Sequence, residues 1–514
     1  MSLKAFSRDL EGNSISLIKS KRSQSALEYM MTYGWAILII VIVAVILYSM
    51  GIFNPSSSIT FTSSGFSPFT VSSSLCNNLG YKIAVLAGPI PNNANSLTIS
   101  KVYLTSATGA NATTAAYTLT NPVTLKSGQS ATILIPNVAC NAANVHYSIS
   151  ANIQYSYTAS TLGLQTVNTT GTVAGTSIVG KPSVLTTYEP LTITNRQSSA
   201  TPNPFQQMIN FTSSDSGWTS ISTSNFGQNV EFFYYNGTVI PSWLENYTSS
   251  HALWWLKIAA IPAGSSETVY VGFATSTTNL FNTVNDGEAP QIPCIEEGVT
   301  NTSQCSIYAE YDNGANVFNN YWDFAGTSLP SGLTIISGTS GTDYIMNNGF
   351  QLLTTTARVQ STASLSGSYI LEMYHQFVSN AANGWDFGIY SSLSSAFGMH
   401  VDGGGDTSDW EFTYYYNNGY TQIASTGETI GSGYYFLWQI VNNAGSITTN
   451  FDSPSYSTYY TASFTNSLSA LITFGERFDN GGAGQSMNDI IYWLRVRAYP
   501  PNGVMPTVSF GSLV

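Results

Sequence analysis

The densest group of metal-ligating side chains in this sequence is Asp402-Gly403-Gly404-Gly405-Asp406-Thr407-Ser408-Asp409-Trp410-Glu411. Carboxylates on a glycine-rich loop offer the hard oxygen ligands that Ca²⁺ takes. Asp402, Asp406 and Asp409 are the candidate ligands, and Asp312 and Asp323 are further carboxylates of that kind. The loop lacks the glutamate that closes an EF-hand, and a solvated acidic turn accounts for the same residues. Retaining glycosidases need two carboxylates about 5–5.5 Å apart. Asp409 and Glu411 would share one face of a strand, the nearest approach to such a pair. No Glu-x-Asp-x-x-Glu, Gly-x-Ser-x-Gly or His-Glu-x-x-His pattern occurs. His146, His251, His375 and His400 are isolated and read as ordinary surface or core residues. The expectation is a protein that is not an enzyme, with no cofactor beyond the calcium alternative.

Aromatic side chains carry the other candidate chemistry. Trp385, Trp410, Tyr415 and Trp438 could stack on the apolar faces of sugar rings. Tyr414, Tyr416, Tyr420 and Trp493 belong to the same group. The competing reading is that alternating aromatics fill a sandwich core. In Tyr414-Tyr415-Tyr416 successive side chains change face if the segment is a strand, so at least one points away from the core.

Composition sets the setting for these groups. Charged residues are 8% of the 514, and the net charge is −12. Five of the 15 cations precede residue 23, so ten serve the whole remainder. An acidic chain so poor in cations excludes nucleic acid as a partner. With 43% hydrophobic residues, the chain is not generally disordered. Its length allows three or more domains. So few ionisable groups predict a stability insensitive to acid. Four cysteines allow three disulfide pairings; sequence proximity favours Cys76–Cys140 and Cys294–Cys305. Their spacing is wrong for a zinc ribbon. Asn-x-Ser/Thr sequons begin at Asn111, Asn168, Asn210, Asn236, Asn246 and Asn301, in keeping with an extracellular location.

One segment speaks to how the chain is positioned. Lys21-Arg22-Ser23-Gln24-Ser25-Ala26-Leu27-Glu28 precedes a nearly unbroken apolar run from Tyr33 to Phe53. Such a run reaches the roughly 20 residues that span a bilayer. The cations before it would keep the N-terminus cytoplasmic, and Pro55 ends the helix. Glu28, close to an apolar span, needs a partner. This stretch resembles the class III signal peptide of archaeal type IV pilin-like proteins, with Ala26 where many members carry Ser. The resemblance implies cleavage by a prepilin peptidase between Ser23 and Gln24. It also implies assembly with other pilin-like subunits through Glu28 and a membrane or filament location. A single-pass anchor that never polymerises is the competing reading, and a cell-surface glycoside hydrolase is a third.

The expected fold class is mainly β: an N-terminal transmembrane, pilin-like α-helix followed by β-sandwich domains. Short β-type runs recur at roughly ten-residue spacing between Gly, Asn, Ser and Pro clusters. The expected organisation is a leader at 1–23, a helix at 24–54, a sandwich head at 56–179, a β-domain at 183–285 and a last domain at 308–514. Asn236-Gly237 is a hairpin signal. The block Asn229 to Ile258 resembles an uncharacterised β-domain of archaeal and bacterial exoproteins. The last segment, from Tyr321-Trp322-Asp323-Phe324 to Asp489-Ile490-Ile491-Tyr492-Trp493-Leu494-Arg495-Val496-Arg497, resembles the concanavalin-A-like jelly roll. That likeness implies that the first and last strands meet and that one sheet could hold a carbohydrate. The role these readings imply is a minor filament subunit or adhesin displaying saccharide- or surface-binding modules.

Overall fold

A computed structural model describes residues 33, 34, 37–39, 41 and 42. From residue 61 on it describes all but 92–93, 113–116, 137, 141–142, 297, 299–300, 380–383, 393–394, 402–410, 417–419, 426–434, 445, 453–457, 466–470 and 479–483. The described part of the N-terminal segment is helical, with Ile37, Leu38, Ile39, Val41 and Ile42 exposed. Ser23, Gln24, Glu28 and the rest of the expected membrane helix lie outside the described residues. Among the described residues no helix is long and apolar enough to cross a membrane.

The fold is mainly β and falls into two compact units, Met1–Gly180 and Lys181–Val514. In the first, the order of the five-stranded sheet is Thr62–Gly65, Gly163–Thr176, His146–Ala159, Leu97–Thr108, Tyr117–Leu125. It packs on a three-stranded sheet of Phe69–Asn77, Gly80–Ala87 and Ser130–Ile135. Strict alternation of buried and open residues along His146–Tyr155 marks a strand with one face in the core. Cys76 and Cys140 are disulfide-bonded within that core.

Among the described residues the second unit builds four sheets. A partner sheet runs Val230–Tyr234, Ser266–Phe273, Thr187–Thr194, Thr507–Phe510. A cleft sheet runs Phe205–Thr212, His251–Ile258, Ser242–Tyr247, Asp286–Glu288. These two enclose Leu191, Ile193, Phe232 and Val271 with Ile209, Phe211, Leu244 and Trp254. The turn at Asn236-Gly237 forms as expected, with Gly237 at φ +79 and Tyr234 N–H bonded to the Thr238 carbonyl. Two larger sheets, of eight and seven strands, share the core of Phe350, Leu371, Met373, Leu494, Phe387, Phe397 and Phe474. The strand Asn320–Trp322 pairs with the late strand Ser486–Ala498.

The segments 183–285 and 308–514 share strands of one sheet and form one compact unit. Thr507–Phe510 returns to pair with Thr187–Thr194. The outer face of the cleft sheet also rests on the eight-stranded sheet, where Trp243 meets Trp493 at 5.4 Å between ring centroids. The eight-stranded sheet is therefore covered on both faces along Ser486–Ala498, whose last eight residues are all buried. A second disulfide, Cys294–Cys305, lies in the same core.

Candidate functional site

The cleft sheet has one face in the partner-sheet core and one face turned to the eight-stranded sheet. On the second face, antiparallel register places Met208 beside Trp255, and Trp255 beside Trp243. That row is roofed by Trp493 and Arg495. One row further along, Asn210 lies beside Leu253, and Leu253 beside Asn246. Here the face comes out into the open, because Asn210 and Ser250 are exposed and Asn246 and His251 half-buried. The result is a cleft of about 400 Å³ lined by Met208, Asn210, Thr212, Asn246, Ser250, His251 and Leu253.

A β-bulge builds half of it. The register shifts between Leu244 and Asn246, leaving Glu245 as the extra residue. An extra residue re-aims the side chains that follow it. Glu245 therefore reaches into the junction with the eight-stranded sheet, while Asn246 stays on the cleft row. His251 is oriented by Thr248, whose Oγ1 lies 2.8 Å from Nδ1. Thr212 Oγ1 donates to Asp215 at 2.9 Å.

The lining holds carboxamides, hydroxyls and an imidazole around Leu253 and Met208, with no carboxylate, lysine or arginine. Carboxamides both donate and accept. A charged ligand would find no carboxylate, lysine or arginine in this lining. A neutral polyol with an apolar ring face matches both parts of the lining, and the volume falls within the usual range of ligand sites.

Beside the cleft lies a buried ion network. Arg495 donates to Glu245 at 2.6 Å and to Glu372 at 2.5 Å, and Arg497 donates to Glu372 at 2.9 Å. Gln439 donates to Glu372 at 2.7 Å, and Trp255 to Glu245 at 2.5 Å. The Arg495 guanidinium sits 4.6–5.4 Å from the rings of Trp493, Phe318, Trp255 and Trp243. Burial alone would raise the Glu372 carboxyl; the charges and hydrogen bonds of Arg495 and Arg497 overcome it and hold it at about 2. These carboxylates are committed to structure, not poised as an acid–base pair.

A second set of carboxyls lies around Asp286–Glu288. Burial, then Glu296, Asp312 and Glu310, push Glu288 up to about 9. Burial and the charge of Glu231 push Asp286 well above the usual range. Burial and Asp323 push Asp312 up to about 7. Asp312 accepts from Trp243 Nε1 at 2.8 Å, Tyr321 OH at 2.7 Å and Gly314 N at 2.9 Å. Its oxygens thus serve protein donors rather than a cation. Among the described residues no group of three or more His, Cys, Asp or Glu is placed to hold a metal.

Two of the four expected sugar-stacking residues need correction. Trp385 and Trp438 are fully buried in the core of the two large sheets, stacked on each other at 5.0 Å. Trp385 Nε1 donates to Asp489, and His375 packs edge-on against both rings. Neither indole can reach a ligand. Tyr415 pairs in register with Phe397, but its side chain lies outside the described residues. Trp410, Asp402, Asp406 and Asp409 lie outside them as well. The cleft residues carried one overlooked sign: in Met208-Ile209-Asn210-Phe211-Thr212, Asn210 and Thr212 put polar groups on the face opposite Ile209 and Phe211.

No protein-family model matches the chain. It is similar to uncharacterized protein 562 of Sulfolobus islandicus rod-shaped virus 1, 26% identical over 347 residues. That match covers 62% of this chain, and the chain spans 58% of the length of the relative. Among solved structures it is similar to a β-glucanase of Bacillus licheniformis (15% identity, 35% of this chain and 97% of that chain, TM-score 0.27). It is also similar to a carbohydrate binding module from Bacillus subtilis (12% identity, 32% and 96%, TM-score 0.24).

Proposed function

We propose that this chain is an exported, non-catalytic surface protein that binds neutral saccharides in the cleft between Asn210 and Asn246. The observation that carries the reading is the lining itself: hydrogen-bonding groups of both kinds around an apolar floor, with no carboxylate, lysine or arginine among them. Two disulfides support an oxidising, extracellular setting. In this reading residues 308–514 form a concanavalin-A-like sandwich that braces the cleft sheet. The pilin-like segment is cut between Ser23 and Gln24, and Glu28 docks the helix onto a neighbouring subunit. The chain then serves as a minor filament subunit or adhesin.

The test is a glycan array probed with the full chain and with Asn210→Arg. Asn210 is exposed, so the longer side chain fills the cleft without disturbing the core. Neutral glycans are expected to bind the wild type and to be lost from the variant. Binding confined to sulfated or sialylated glycans, or binding unchanged in Asn210→Arg, contradicts the proposal.

A further inference from the structure

The sequons differ in what their side chains do. Asn236 is exposed on the turn after Val230–Tyr234, and its Oδ1 accepts from Thr238 N at 3.1 Å. Asn301 is exposed too, and its Oδ1 accepts from Ser303 N at 3.1 Å and Ser303 Oγ at 2.6 Å. In both, the carboxamide oxygen folds back onto its own sequon, and neither bond uses Nδ2. Three others lie in strands. Asn168 pairs with Gln154, while Asn210 and Asn246 flank Leu253. Their sequon hydroxyls are committed elsewhere: Thr170 to Asn152, Thr212 to Asp215 and Thr248 to His251. The Asn111 side chain lies outside the described residues.

We propose that Asn236 and Asn301 are the N-glycan acceptors of the folded chain, and that Asn168, Asn210 and Asn246 are not. The co-reactant is a polyprenyl-phosphate-linked oligosaccharide. Asparagine Nδ2 bonds to C1 of the first sugar while the C1–O bond to phosphate breaks. The polyprenyl phosphate leaves with the electron pair, and one Nδ2 proton passes to a base of the transferase. A hydrogen bond to Oδ1 acidifies Nδ2–H and favours that proton loss. A turn also presents the asparagine without dismantling a ladder, whereas a strand sequon must first break its pairing and free its hydroxyl. Asn210 and Asn246 thereby stay bare within the cleft.

The experiment incubates the folded full-length chain with a purified oligosaccharyltransferase and a polyprenyl-phosphate-linked oligosaccharide. Peptide mapping by mass spectrometry gives the occupancy at each sequon. The same five sequons as synthetic peptides supply the reference for sequence preference. Folded-to-peptide ratios are expected to be at least about tenfold higher at Asn236 and Asn301, the factor given by one or two lost hydrogen bonds of ordinary strength. Reducing and denaturing the chain should abolish the difference. Equal ratios at Asn168, Asn210 and Asn246, or no modification at Asn236 and Asn301, overturn the assignment. The outcome is independent of whether the cleft binds saccharide.

Discussion

Raising the pH from 4.5 to 7 should weaken the second unit, because its buried carboxyls hold their protons in the folded state. Glu288 is 1% exposed and titrates near 9 instead of 4.5. Between those values the unfolded chain binds fewer protons than the folded one, so stability falls as pH rises. Over two and a half pH units, at about 1.4 kcal/mol per unit, Glu288 alone removes about 3 kcal/mol. Asp286 and Glu231, both raised by burial, act in the same direction. Glu372 acts in the opposite sense. Held at about 2, its stabilising contribution is complete above the usual carboxylate range and is lost as pH falls toward 2. Greatest stability is therefore expected near pH 4 to 5 on these carboxylate values. The assay is urea unfolding followed by tryptophan fluorescence, since nine of the ten tryptophans lie beyond Lys181. With an m-value of about 3 kcal/mol/M, the urea midpoint should drop by roughly 1 M between pH 4.5 and 7. Glu288→Gln should shrink that drop, because the amide does not titrate. A wild-type midpoint equal or higher at pH 7 refutes the reasoning.

That profile, once measured, would overturn the expectation that scarce ionisable groups make stability indifferent to acid. Counting charges says how many groups titrate, not how far burial displaces each one. Other parts of the fold were legible. The recurring short β-type runs and the hairpin signal at Asn236-Gly237 marked the mainly β fold and the turn at Gly237, since local chemistry decides both. Trp385 and Trp438 misled for the same reason. The two large sheets share a packed core, and the eight-stranded sheet is covered outside as well, so aromatic residues there need not face solvent. The Asn246 side of the cleft depends on a bulge, a backbone event that no residue type announces. Arg495 and Arg497 did give a sign: two of only ten cations beyond residue 23, spaced to share one face of a strand.

Three further outcomes follow from the same contacts. Arg495→Met leaves Glu245 and part of Glu372 buried without counter-charge and should cost about 3–5 kcal/mol in urea unfolding; a loss below about 1 kcal/mol would mean the network is not buried as described. Replacing Cys294 and Cys305 together with Ala opens a loop of sequence separation 11 and should cost about 3 kcal/mol, read as a lower thermal midpoint; an unchanged midpoint contradicts it. N-terminal sequencing of the mature protein should begin at Gln24, and an intact Met1 or a start after Phe53 removes the pilin-like reading.

Saccharide binding is tested most directly by hydrogen–deuterium exchange on the full chain, with and without a neutral oligosaccharide taken from the array. Protection is expected in Phe205–Thr212 and Ser242–Ile258, the strands that form the cleft. Protection confined to the two large sheets, or none anywhere, would contradict the account.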